Sequence, residues 1–159
     1  MPDDAVVMAA LAAEYHSLGR TAEAQLLEQR LPALVGGEGH ALESQAWTAA
    51  SKGRLDEAER LFSRAVAADP SLANAWLAIV RLQLQGGRAV EARATFDRAR
   101  QHDIPAPLLH AHEALLAAAT GDRLTAQREL AMVPQGGLIQ DAVLTDVLQA
   151  TRRLLERSR

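Results

Sequence analysis

Apolar residues recur along this chain in short bursts set off by glycine, and the bursts repeat. Ala58, Phe62 and Ala65 are spaced four and three apart, the rhythm of one helix face, and Ala92, Phe96 and Ala99 reproduce them 34 residues later. The glycines keep the same interval. Gly19, Gly53, Gly87 and Gly121 stand 34 residues apart, and five residues after each comes an alanine: Ala24, Ala58, Ala92 and Ala126. Trp76, Ile79 and Val80 form a further apolar set ahead of Gly87. The pattern predicts a series of helix pairs, each a first helix, a turn at the glycine and a second helix. Glycine can take the left-handed conformation that closes the first helix. Asp56 is expected to cap the second helix with Glu59 as its capping-box partner, Pro70 to stop it, and Ser71 to cap the next. The alanines let helices approach closely, while Phe62 and Phe96 would fill the space between neighbouring pairs. One pair alone cannot bury its apolar face, so stability must come from stacking.

At these residues the chain resembles the tetratricopeptide repeat family, whose 34-residue unit carries a W-x2-L-G-x2-Y…A-x3-F…P pattern. The segments GRLDEAERLFSRAVAADP and GRAVEARATFDRARQHDIP carry the resemblance best. It implies an all-α fold, an α-solenoid (a right-handed superhelix) of four repeats, 5–38, 39–72, 73–106 and 107–140, in one domain spanning 1–159. A last helix at about 138–157 (Leu138 to Glu156) follows as a C-terminal cap. Its Leu144, Val147 and Leu148 fall where the first helix of a fifth unit would pack, and Arg152, Arg153, Glu156, Arg157 and Arg159 make its far end polar. Units one and four depart from the pattern, and unit three does at one position. Glu28 replaces the Phe of unit one, Gln83 the Tyr of unit three and His110 the Trp of unit four, and Pro134 cuts the last second helix short.

Composition narrows the chemistry. Alanine and leucine number 33 and 24, and aromatics are only 3% of the 159 residues, which favours helix over any sandwich or barrel. With no cysteine, disulfides, thiolate nucleophiles and Cys-ligated metals are excluded. Sixteen arginines and one lysine face 20 acidic residues, so a net charge of -3 offers nucleic acid no general attraction. The sequence starts with acidic rather than basic residues, and no apolar run approaches the roughly 18–20 needed to cross a bilayer. A cytoplasmic location and, from the Arg/Ala-rich usage, a bacterial source are expected. The Gly pairs at 36–37, 86–87 and 136–137 lack a phosphate-cradling context and read as helix stops. No GxSxG or HExxH motif is present, and His110 and His112, two apart, point to different sides of a helix. They read as surface or groove histidines. The expectation is a protein that is not an enzyme and holds no cofactor or metal.

Function therefore moves to a surface. The resemblance implies that first-helix faces line a concave groove at unit positions 2, 5, 6, 9, 12 and 13. Carried over, those positions include Glu43 and Trp47 in unit two; Asn74, Leu77, Arg81, Leu84 and Gln85 in unit three; and His112, Leu115 and Ala119 in unit four. The implied groove is apolar at its centre, with Arg81 its only cation. Trp76 sits at the family's core position and reads as packing. Trp47 has no place in the repeat pattern, and an open Trp near an Arg is the composition of a binding hot spot, the alternative being that it packs on the chain's own neighbouring helix. Some family members hold acidic tails with a five-residue Lys/Asn/Arg clamp. Its places hold Ala9, Ala13, Ser44, Asn74 and Ala78 here, or Glu43, Trp47, Ala78, Leu108 and His112 one unit later, so the cations are missing. The first reading is a scaffold or adaptor that takes a helical or extended apolar peptide of another protein, with no nucleic acid and no membrane insertion. The alternatives are an interaction segment of a larger bacterial enzyme or secretion or assembly machine, and a self-associating homodimer.

Overall fold

A computed structural model describes residues 5–134 and 142–157, all helices and short connections with no strand among them. Two compact units are distinguished, Met1–Ala75 and Trp76–Arg159. The first holds α1 (Ala5–Ser17), α2 (Thr21–Ser51) and α3 (Leu55–Ala68), with α2 packed between the other two. α2 is two helices run together, broken at Gly37 by a left-handed backbone with φ 75° and ψ -168°. Just beyond the break, a Cβ on Gly39 would lie 2.7 Å from the Asp69 Cβ, so only glycine lets α2 pass so close to the end of α3.

α4 (Ala73–Gln85) contains the boundary between the units. The second unit continues with α5 (Ala89–Ala99), α6 (Ala106–Ala119), α7 (Arg123–Met132) and α8 (Ala142–Arg157), and α6 packs against α5, α7 and α8. Helix α8 brings Leu154 and Leu155 onto a buried cluster of Ala117, Ala118 and Ala126. The expected start of this helix at Leu138 and the Gly136–Gly137 pair lie outside the described residues, as does Arg159.

One turn recurs at the 34-residue interval. Gly19, Gly53, Gly87 and Gly121 all have φ between 71° and 83°. The glycine N–H donates to the carbonyl three residues back, and the next N–H reaches five back: Arg20 to Tyr15, Arg54 to Ala49, Arg88 to Gln83 and Asp122 to Ala117, at 2.8–3.0 Å. These two bonds satisfy carbonyls that the helix end would otherwise leave open. The carbonyl of the same residue then accepts the N–H of the alanine four positions on, starting the second helix. Ala24, Ala58, Ala92 and Ala126 are each 0% exposed, so a larger side chain there would have to push two helices apart.

The turn also corrects two expectations. α3 starts at Leu55 with Arg54 as its N-cap, because the residue after the turning glycine is already held in place by its own backbone bonds. Asp56 therefore falls within the first helical turn, where a negative charge still favours the helix dipole, and does not cap. In three units this arginine pairs with a glutamate three residues on: Arg20–Glu23, Arg54–Glu57 and Arg88–Glu91, at 2.7–3.1 Å. Such exposed pairs add little stability. The fourth turn uses Asp122, whose carboxylate accepts the Thr125 N–H at 3.0 Å. Ser71, expected as a cap, gives both its N–H and its hydroxyl to Asp69 Oδ1, and α4 begins at Ala73. Pro70 and Pro134 do follow helix ends, at Ala68 and Met132.

Phe62 and Phe96 are fully enclosed, as the pattern required. Phe96→Ala is expected to cost about 3–5 kcal/mol in urea unfolding. Val90→Ala on the same helix, where Val90 is 85% exposed, should shift the midpoint hardly at all.

Candidate functional site

Of the residues marked by the groove pattern, Glu43, Trp47 and Asn74 lie in the first unit. Trp47 on α2 is 36% exposed and sets its ring edge-on to Phe62 of α3, 4.8 Å between centroids and 77° between planes. It therefore packs and remains partly open at once. One turn earlier, half-buried Glu43 accepts a hydrogen bond from the Trp47 side chain. Burial pushes its carboxyl above the usual range, opposed in part by His40 and by the Trp47 bond, while Asp69 adds to the rise. Asn74 is exposed at the start of α4.

The remaining marked residues belong to the second unit and divide in two. Leu77 and His112 are enclosed. His112, expected on a surface or in the groove, is 0% exposed and its Nδ1 is 2.8 Å from the Leu108 carbonyl one turn back, a contact that holds the imidazole inside the helix bundle. His110 lies partly buried with its Nδ1 2.8 Å from Glu129 Oε2, tying α6 to α7. This bond is the main reason the Glu129 carboxyl is held below its usual range. Trp76 is buried, stacked on His102 at 5.3 Å with the Arg98 guanidinium 5.2 Å from its centroid, in keeping with a packing role.

Arg81, Leu84 and Leu115, with Gln85 and Ala119, do come together. They line a hollow of about 650 Å³ whose other side is α8, through Asp146, Val147, Ala150, Arg153, Leu154 and Arg157. The volume falls within the range of about 300–1,000 Å³ usual for ligand pockets. Leu115 and Val147 are nearly enclosed and make its base, Leu84 and Leu154 are half-buried, and Asp146, Arg153 and Arg157 are exposed at its edge.

Here the sequence reading needs correction. Arg81 is not the only cation, because the helix read as a polar end-piece places Arg153 and Arg157 at the edge of the hollow. A signal was present: 146, 150, 153 and 157 are spaced four, three and four apart, one continuous helix face. Among the described residues no group of three or more His, Cys, Asp or Glu is arranged to hold a metal ion, and no helix is long and apolar enough to cross a membrane.

Residues 49–118 match the family model described as a tetratricopeptide repeat. The chain is also similar to a solved tetratricopeptide repeat protein from Parabacteroides merdae ATCC 43184, at 15% identity and a TM-score of 0.64. That match covers 99% of this chain but 62% of the other, so the chain spans under two thirds of its relative's length. At such low identity the likeness concerns the fold, an α-solenoid of helical pairs. No curated protein matches the sequence.

The raised Glu43 carboxyl has a consequence for stability. A group whose folded pKa lies above its unfolded value favours the protonated fold, and that contribution is lost as pH rises through the folded value. Glu43→Gln, which keeps an acceptor for Trp47, should raise the thermal midpoint at neutral pH. The gain should vanish below about pH 4, where the unfolded carboxyl is protonated too. An equal gain at both pH values would contradict the assignment.

Proposed function

As the chain is a tetratricopeptide repeat family protein, we propose that it is a non-enzymatic adaptor that binds a peptide or helix of another protein along its first-helix faces. Repeats of this family generally mediate protein–protein interaction, and proteins built from them are typically non-catalytic scaffolds. The observation that carries the reading is the hollow in the second unit, where half-buried Leu84 and Leu154 flank an apolar base of Leu115 and Val147. Such a surface would be more stable if polar, unless something apolar docks on it. In the first unit taken by itself, Trp47 offers a separate anchor, since about a third of a tryptophan left open gives a partner a large rigid contact at little entropic cost.

Affinity capture from the source organism, with the full chain as bait, tests the assignment. Wild type should retain a protein that Leu84→Glu does not, with Trp47→Ala weakening capture about tenfold or more if it is an anchor. Capture unchanged in Leu84→Glu would contradict binding at the hollow.

A further inference from the structure

The hollow has a sign of charge opposite to that of the chain. Its edge carries Arg81, Arg153 and Arg157 against Asp146 alone, in a protein whose net charge is -3. Elsewhere the arginines are commonly neutralised: Arg20, Arg54, Arg88, Arg93, Arg100 and Arg128 each lie within 4 Å of a glutamate oxygen. Among the described residues Arg153 and Arg157 have no such carboxylate. They stand one turn apart on α8, on the face that closes the hollow, and beside them lies an apolar base. Two guanidinium groups presenting outward next to a leucine-lined surface match a ligand that is apolar on one side and anionic on the other.

Resting on the adaptor reading, we infer that the occupant of this hollow is an acidic amphipathic segment of a partner protein, with apolar side chains on Leu84 and Leu115 and Asp or Glu carboxylates on Arg153 and Arg157. Two of the three cations, Arg153 and Arg157, come from the terminal helix, so the selectivity belongs mainly to α8. A purely anionic ligand such as a nucleic acid would leave the apolar base unused, and the hollow offers no aromatic platform on which a base could stack. A purely apolar segment would leave two arginines facing it, with their charge set against its low-polarity surface.

A displayed library of random short peptides, selected against the full chain, tests this. Both variant residues of Arg153→Gln/Arg157→Gln are exposed, so the fold should be retained, and circular dichroism checks that it is. Selected peptides should combine Leu-type residues with Asp or Glu. The double variant should bind them about three- to tenfold more weakly, and added salt should shrink that difference. Enrichment of neutral or basic peptides, or equal affinity for the double variant, would overturn acidic selectivity while leaving the adaptor reading intact. Peptides whose binding ignores Leu84→Glu, or no enrichment at all, would overturn both. Displacement of bound peptide by a single-stranded oligonucleotide at lower concentration than by a glutamate-rich peptide would overturn the class of ligand. A dimer in light scattering that the double variant dissolves would place a second copy in the hollow instead, and would also overturn it.

Discussion

Everything in this molecule depends on a turn that ends one helix and begins the next with backbone bonds alone. The glycine supplies a left-handed residue, and the following N–H returns to the carbonyl five back. The carbonyl of that residue then accepts from the alanine that starts the second helix. A non-glycine residue in that conformation costs about 1–2 kcal/mol. Space is not the reason for glycine there, since a Cβ on any of the four would meet nothing within 4 Å. Conformation is. Once the turn is closed, the second helix lays a fully enclosed alanine against its neighbours in each unit. Four of the sequence's 33 alanines meet that requirement at the same place in each unit.

Because the turn sets the register, the first helices of successive units present their faces at fixed positions, and this made much of the molecule legible. The period located the helix pairs, the enclosed alanines and Phe62 and Phe96. Register alone also brought Arg81, Leu84 and Leu115 into one set, and the structure has all three in one hollow. The same register could not say which marked residues stay open. Leu77 and His112 are closed off by packing, a property of side-chain volumes across several helices and not of spacing along one.

What escaped the sequence has identifiable causes. Asp56 looks like a helix cap by residue type, yet the turn had already fixed the helix start two positions earlier with backbone bonds. Trp47 was read as either open or packed, but a side chain of that size does both, touching Phe62 with one edge while part of it remains in water. Arg153 and Arg157 lie beyond the fourth repeat, on a helix whose fifth-unit register marks Leu144, Val147 and Leu148 for packing and leaves the far end read only as polar. Burial of Leu144, Val147 and Thr151, with Leu154 and Leu155 packed on the alanine cluster of α6 and α7, fixes which way α8 faces, and with it the charge of the hollow.

A repeated turn and one open, cation-edged surface thus belong to one design. The most direct measurement of that union is an NMR titration of the isotope-labelled full chain with a short amphipathic peptide of leucine and glutamate. Amide shifts should move at Arg81, Leu84, Leu115, Ala150 and Arg153 together, with the backbone of the turning glycines unmoved. Shifts that cluster away from these residues, or a spread over the whole chain with no local focus, would contradict the account.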